Sequence, residues 1–263
     1  MNGNLNASMI QVVTLLEESG KEAINRAARG TFSNTPGFKV TSILKGDFID
    51  KHLSNGVRTF VSKFIQIFLQ IFYGTEKKNQ QIGEMVSPPI RVPLLTALEQ
   101  LRVVNKTVIF SEKNMQFRIG RLENALYSLD QARSLASEGF EIALVDILRG
   151  LCSFEIPGGK SEAIVHLRGF KIWARKEVGR LVSMRKEKKR KAERVNVEIE
   201  ELKHLTRTKK SDPSLYLALE RAQDSAQCLR AEIDEITGLI SKILDNIFYT
   251  TALLEVAKKM RDE

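Results

Sequence analysis

The sequence predicts an all-α protein that is elongated, with a long antiparallel helical hairpin of coiled-coil character preceded by shorter helices. Three observations carry this expectation. Proline is scarce, at 6 in 263 residues, in a chain rich in Lys, Glu, Leu and Ala, a composition that favours helices over sheets. Apolar residues recur at three- and four-residue spacing along most of the length. Finally, the last fifty or so residues carry one apolar seam of about six heptads. With 43% hydrophobic and 28% charged residues, the chain has the balance of a folded protein rather than a disordered one.

The elements follow in order. Met9, Ile10, Val13, Leu16 and Ile24 mark an amphipathic helix over 7–28 that stops at Gly30. Ser33-Asn34-Thr35-Pro36-Gly37 then makes a turn. A second helix is expected from near Asp47 to Tyr73, closed by Gly74. Within it Phe60, Phe64, Phe68 and Phe72 repeat every four residues, with Ile65, Ile67, Leu69 and Ile71 between them. A helix apolar over most of its circumference is normally covered, so this stripe reads as core or as an oligomer interface. The run is too short to span a bilayer, and Arg58 and Lys63 interrupt it; shallow membrane insertion is the sharper alternative. Pro88-Pro89 and Pro93 are expected to break the chain near 87–93. A helical stretch over 94–136 follows, kept helical through the β-prone Val103–Phe110, and then a shorter helix over 140–152. Ile156-Pro157-Gly158-Gly159 forms a second break.

Two long helices come next, from about Ser161 to Thr208 and from about Pro213 to Met260. Ser211 or Asp212 should cap the second, with Pro213 at its first position. Its seam runs Leu215, Leu219, Ala222, Ala226, Leu229, Ile233, Ile236, Ile240, Ile243, Ile247, Thr251 and Leu254. The partner helix offers Val178, Leu181, Val195, Ile199 and Leu202. Between them, Arg185 to Lys191 has no apolar residue, so this heptad is expected to project toward solvent or a ligand. At about 1.5 Å per residue each helix reaches about 70 Å.

The net charge of +9 is concentrated. Residues 161–210 hold about 16 Lys or Arg against about 7 Asp or Glu, a field that suits an anionic partner, either acidic lipid or nucleic acid. The plainer account is a solvated helix face. Cys152 and Cys228 are too few for a disulfide framework or a zinc site, and both read as buried small hydrophobes. The first 30 residues mix acidic and basic side chains and lack the apolar run of a signal peptide, which points to the cytoplasm, the nucleus or an organelle interior.

Catalytic motifs do not emerge. Gly158-Gly159-Lys160-Ser161 imitates the end of a phosphate loop, but Phe154 stands where that loop needs glycine; a turn and a helix start are the better account. His52, His166 and His204 lie outside metal-ligand spacing. Glu200-Glu201 reads as a surface ion-pairing site. No catalytic residue, cofactor or metal is expected, and the chain does not read as an enzyme.

The basic helix, the tip Leu205-Thr206-Arg207-Thr208-Lys209-Lys210-Ser211-Asp212-Pro213-Ser214 and the long heptad helix together resemble the last two helices of BAR domains. The Chibby-interacting BAR family, whose tip also carries basic residues before Pro-Ser, is the most similar pattern. Arg118-Ile119-Gly120-Arg121-Leu122-Glu123 resembles its Arg-Leu-Glu segment, and 56–85 corresponds to its first helix. The first 50 residues and the breaks at 88–89 and 156–159 depart from it.

The resemblance implies an elongated homodimer with a six-helix core and a curved basic face. Arg185, Lys186, Lys188, Lys189, Arg190 and Lys191 would then bind acidic headgroups, with Arg207, Lys209 and Lys210 at the arm tips. Phe60, Phe64, Phe68, Phe72, Ile236, Ile240, Ile243 and Ile247 would serve the oligomer interface. The implied domains are an N-terminal helix and linker over 1–46 and a helical domain over 47–263. The functional expectation is a cytoplasmic, peripheral membrane protein that senses or shapes curvature. A coiled-coil scaffold that binds helical protein partners is the second reading. Nucleic-acid binding ranks third, because the basic run lacks interleaved aromatics.

Overall fold

A computed structural model describes residues 5–32, 55–106, 112–137, 139–208 and 212–261. Among these the chain is all-α. Eight helices run in order: α1 (Ala7–Phe32), α2 (Asn55–Tyr73), α3 (Glu76–Glu84), α4 (Pro88–Lys106), α5 (Glu112–Leu135), α6 (Gly139–Glu155), α7 (Lys160–Thr208) and α8 (Pro213–Arg261). The expected turn at 33–37, the start of a helix near Asp47, His52 and the segment 107–110 lie outside the described residues.

Contacts divide the chain into two compact units, one over Lys176–Lys242 and one over Asn4–Arg175 with Ile243–Glu263. The division therefore falls within α7 and α8, and the boundary the sequence suggests near residue 46 lies outside the described residues. In the larger unit α1 packs on α2, α2 and α3 on α4, α4 on α5, and α5 on α6. Phe60, Phe64, Phe68 and Phe72 are all buried, with successive ring centroids from Phe64 to Phe72 6.0 and 5.8 Å apart. Burying each such ring is worth about 1.5–3 kcal/mol. The polar edge of α2 is used as well: Lys63 Nζ donates to the Gly30 carbonyl of α1 at 3.0 Å.

The C-terminal end of α8 closes on the other side of α1. Asn246 Nδ2 donates to the Val13 carbonyl at 3.3 Å, and Lys21 pairs with Asp245 at 3.3 Å. Gly20 faces the Tyr249 ring so closely that an added Cβ would lie 2.8 Å from two ring carbons.

The sequence breaks take particular forms. Thr75 caps α3, its hydroxyl accepting from Lys78 N at 3.3 Å. Because α2 ends at Tyr73 and α3 begins at Glu76, 56–85 is two helices and not one. Pro88 and Pro89 open α4, where an N–H has no intrahelical partner in any case. Pro93 sits inside α4 and does not end it, against expectation. Glu141, fully buried, accepts from Ser87 N at 2.6 Å and Ser137 N at 3.3 Å, and so ties the starts of α4 and α6 together. Gly158 adopts φ +76°, the left-handed conformation that favours glycine, and Gly159 N donates to Ile156 O at 3.0 Å. That turn delivers the chain into α7.

In the smaller unit, Ile199 of α7 is buried with Ala222 and Ala226 of α8, and Val195, Leu202 and Leu219 pack around them. Lys188 pairs with Glu232 at 2.6 Å. As α7 advances from 188 to 199, its partners in α8 retreat from 232 to 222–226, the relation of two antiparallel segments. Asp212 caps α8 as expected, its Oδ1 accepting from Ser214 N at 3.0 Å and Ser214 Oγ at 2.6 Å.

Candidate functional site on helix α7

The basic run forms because α7 is an uninterrupted helix whose two faces have different duties. Leu181, Ala192, Ile199 and Thr206 are buried, and Val195 and Leu202 half-buried. From Ala192 onward these positions alternate at three- and four-residue steps, and the same register runs back through Lys188 and Arg185 to Leu181. Both are half-buried. The expectation that the whole heptad from Arg185 to Lys191 projects outward is therefore corrected: two of its cations stand on the seam side. Lys188 meets Glu232 there.

The remaining cations sort by partner. Lys191 is exposed but pairs with Glu187 at 2.7 Å, a hydrogen bond that draws the Glu187 carboxyl below its ordinary range. Lys203 pairs with Glu200 at 2.8 Å and lowers that carboxyl in the same way. Arg180 donates to Glu177, which raises the guanidinium further. Lys186, Lys189, Arg190 and Arg194 are exposed, and none of them forms an ion pair among the described residues. Lys186, Arg190 and Arg194 step by four, with Lys189 beside them, so these four cations share one outward face. Val182 and Val197 are exposed, at 39% and 61%, near either end of the same stretch. Arg207 is exposed at the end of α7; Lys209 and Lys210 lie outside the described residues.

The residues offered as an oligomer interface are covered within one chain. Phe60, Phe64, Phe68, Phe72, Ile236, Ile240 and Ile243 are buried and Ile247 is half-buried, so no second copy is needed to shield them. Cys152 is buried and its thiol is pushed far up by that burial. Cys228 is exposed, which corrects its reading as a buried hydrophobe.

Two polar clusters in the larger unit escape sequence reasoning, because their members come from different helices. In one, Arg118 of α5 donates to the Val104 carbonyl at 2.8 Å and pairs with Glu155 of α6. Tyr73, wholly buried, has its phenol pushed well up by burial, with Cys152 and Glu155 adding to the effect. In the other, Asp146 Oδ1 accepts from Arg133 Nε at 3.1 Å and lies 3.9 Å from His166 Nδ1. His166 Nε2 lies 3.5 Å from Glu162, and Arg149 pairs with Asp130 at 2.5 Å. Burial, helped by Arg149, holds the His166 imidazole below its ordinary range. No group of His, Cys, Asp and Glu among the described residues is arranged to hold a metal ion. Nor is any described helix long and apolar enough to cross a membrane.

Comparison with known proteins finds no matching family model, no matching curated protein and no matching solved structure.

Proposed function

We propose that this chain attaches peripherally to anionic membrane surfaces through the outward face of α7. One observation carries the reading: Lys186, Lys189, Arg190 and Arg194 are exposed on a single face without carboxylate partners. A cation cluster on a continuous helix attracts acidic headgroups at up to about 1 kcal/mol per charge, here partly offset by Glu193, exposed on the same face. Four such charges give at most about 4 kcal/mol, only millimolar attachment. Two chains acting together would reach at most about 8 kcal/mol and the micromolar range. The reading therefore includes a homodimer, and a preference for curved membranes would follow from the mutual orientation of its two cationic faces.

A scaffold role is the second reading. It is favoured by apolar side chains left exposed near the end of α7 and the start of α8, Leu205, Tyr216 and Leu217 at 39%, 50% and 48%. Co-sedimentation with vesicles of neutral lipid, and of neutral lipid mixed with phosphatidylserine, separates the two. The expected outcome is salt-sensitive pelleting with the anionic vesicles alone, abolished in Lys186→Glu/Lys189→Glu/Arg190→Glu. No pelleting at low salt would sink the membrane reading. Tighter binding to duplex DNA than to anionic vesicles would transfer the face to nucleic acid.

A further inference from the structure

On its side away from the core, α1 borders a groove of about 460 Å³ shared with α3 and the turn after it. Ile10, Gln11, Thr14, Leu15 and Glu18 form one wall, Gln81, Glu84 and Met85 the other. The α1 residues recur at four-residue spacing along two turns, about 12 Å of helix at 1.5 Å per residue. Ile10, Leu15 and Met85 are half-buried, while Gln11, Glu18, Gln81 and Glu84 are exposed. The groove is thus an apolar floor with an acidic and amide rim, and no Lys or Arg among the described residues lines it.

Lys21, the next cation along α1, is taken by Glu17 and by Asp245. On the α3 side, Lys78 donates to the Ile71 carbonyl and Arg91 Nε to the Gly83 carbonyl at 2.8 Å, bonds that fix where these cations sit without removing their charge, and Lys77 is exposed one turn before Gln81. Glu18 and Glu84 form no ion pair among the described residues.

We propose that this groove binds a basic amphipathic helix of a partner protein. Two apolar side chains of that helix, one turn apart, lie on Ile10, Leu15 and Met85, and flanking Lys or Arg side chains meet Glu18 and Glu84. The chemistry is that of helix-in-groove recognition, in which apolar anchors at i and i+4 supply affinity and rim charges supply orientation. The site is independent of the cationic face of α7, which would repel the same ligand.

The test uses the full chain and a fluorescein-labelled 14-residue peptide with leucines at i, i+4 and i+7 and lysines flanking them. A counterpart carries glutamate in place of each lysine. Fluorescence anisotropy should show saturable, salt-sensitive binding of the lysine peptide and none of the glutamate peptide. Glu18→Gln/Glu84→Gln, two exposed substitutions that leave the core intact, should weaken binding at least tenfold. Leu15→Asn should weaken it without changing the salt dependence. Equal affinity of wild type and the glutamine pair, or no binding of the lysine peptide, would overturn the proposal. So would a dimer of the chain that is broken by the same glutamine pair but not displaced by the peptide, because a second copy would then be the occupant.

Discussion

Arg118 gives the sharpest handle on what holds the larger unit together. Its side chain and that of Glu155 are only 6% and 9% exposed, and a second guanidinium nitrogen satisfies the buried Val104 carbonyl. In Arg118→Ala the carboxylate keeps its burial and loses its counter-charge, while the carbonyl loses its donor. Removing one partner of a buried pair costs about 3–5 kcal/mol, and an orphaned buried carbonyl about 1–3 kcal/mol, so the loss should fall toward the upper end of the first range. At roughly 2–4 °C per kcal/mol for a unit of this size, the melting temperature should drop by about 10 °C. Urea unfolding followed through Trp173 reads the effect in the right place. It is the sole tryptophan, lies in the larger unit, and its ring stands 5.9 Å from that of Phe170. Replacing both partners, as Arg118→Met/Glu155→Leu, should recover most of the loss, since no charge is then stranded. A loss below about 1 kcal/mol in the single variant, or a double variant no better than the single, would refute this account.

Three further outcomes are expected. Gly20→Leu should destabilise the same unit by about 1–3 kcal/mol through overpacking against Tyr249, read by the same urea titration; an unchanged midpoint would mean that α1 does not dock there. His166 is held neutral by burial, so its folded pKa lies below the unfolded value of 6.5. Its contribution to stability should be full above pH about 6.5 and decline as the pH falls below it. A His166→Gln variant measured from pH 7 to about 5 should lose that part of the slope, and an identical slope would reject the assignment. Lys188→Gln should leave vesicle binding within about fivefold of wild type, because Lys188 already faces Glu232 and a single charge adds only about 1 kcal/mol at most. A loss as large as that of the outward triple variant would return Lys188 to the binding face.

The helical class was legible because heptad spacing, scarce proline and cap chemistry at Asp212 all act locally. The seam of α8 was legible for the same reason. Every one of its positions from Leu215 to Leu254 is buried or half-buried. What escaped depends on residues far apart in sequence. Lys188 looks like one member of a basic run until Glu232, 44 residues later, comes opposite it. Asp146 and His166 signal nothing separately, and only the packing of α6 with α7 brings them to 3.9 Å. Cys228 sits two positions after buried Ala226, yet that offset turns it outward. Pro93 signals a break locally, since past the first turn it forfeits the bond to the Pro89 carbonyl, yet α4 continues through it.

The two thiols, so different in their surroundings, divide labour in a way that chemistry can exploit. Cys228 is open to solvent and Cys152 fully enclosed, with its thiolate strongly disfavoured. A thiol-specific alkylating reagent should therefore react once quickly and once slowly. The fast event calibrates the reagent, and the slow one times how often the interior around α6 opens. The natural chain thus carries its own clock for internal motion, readable by intact mass without altering a residue.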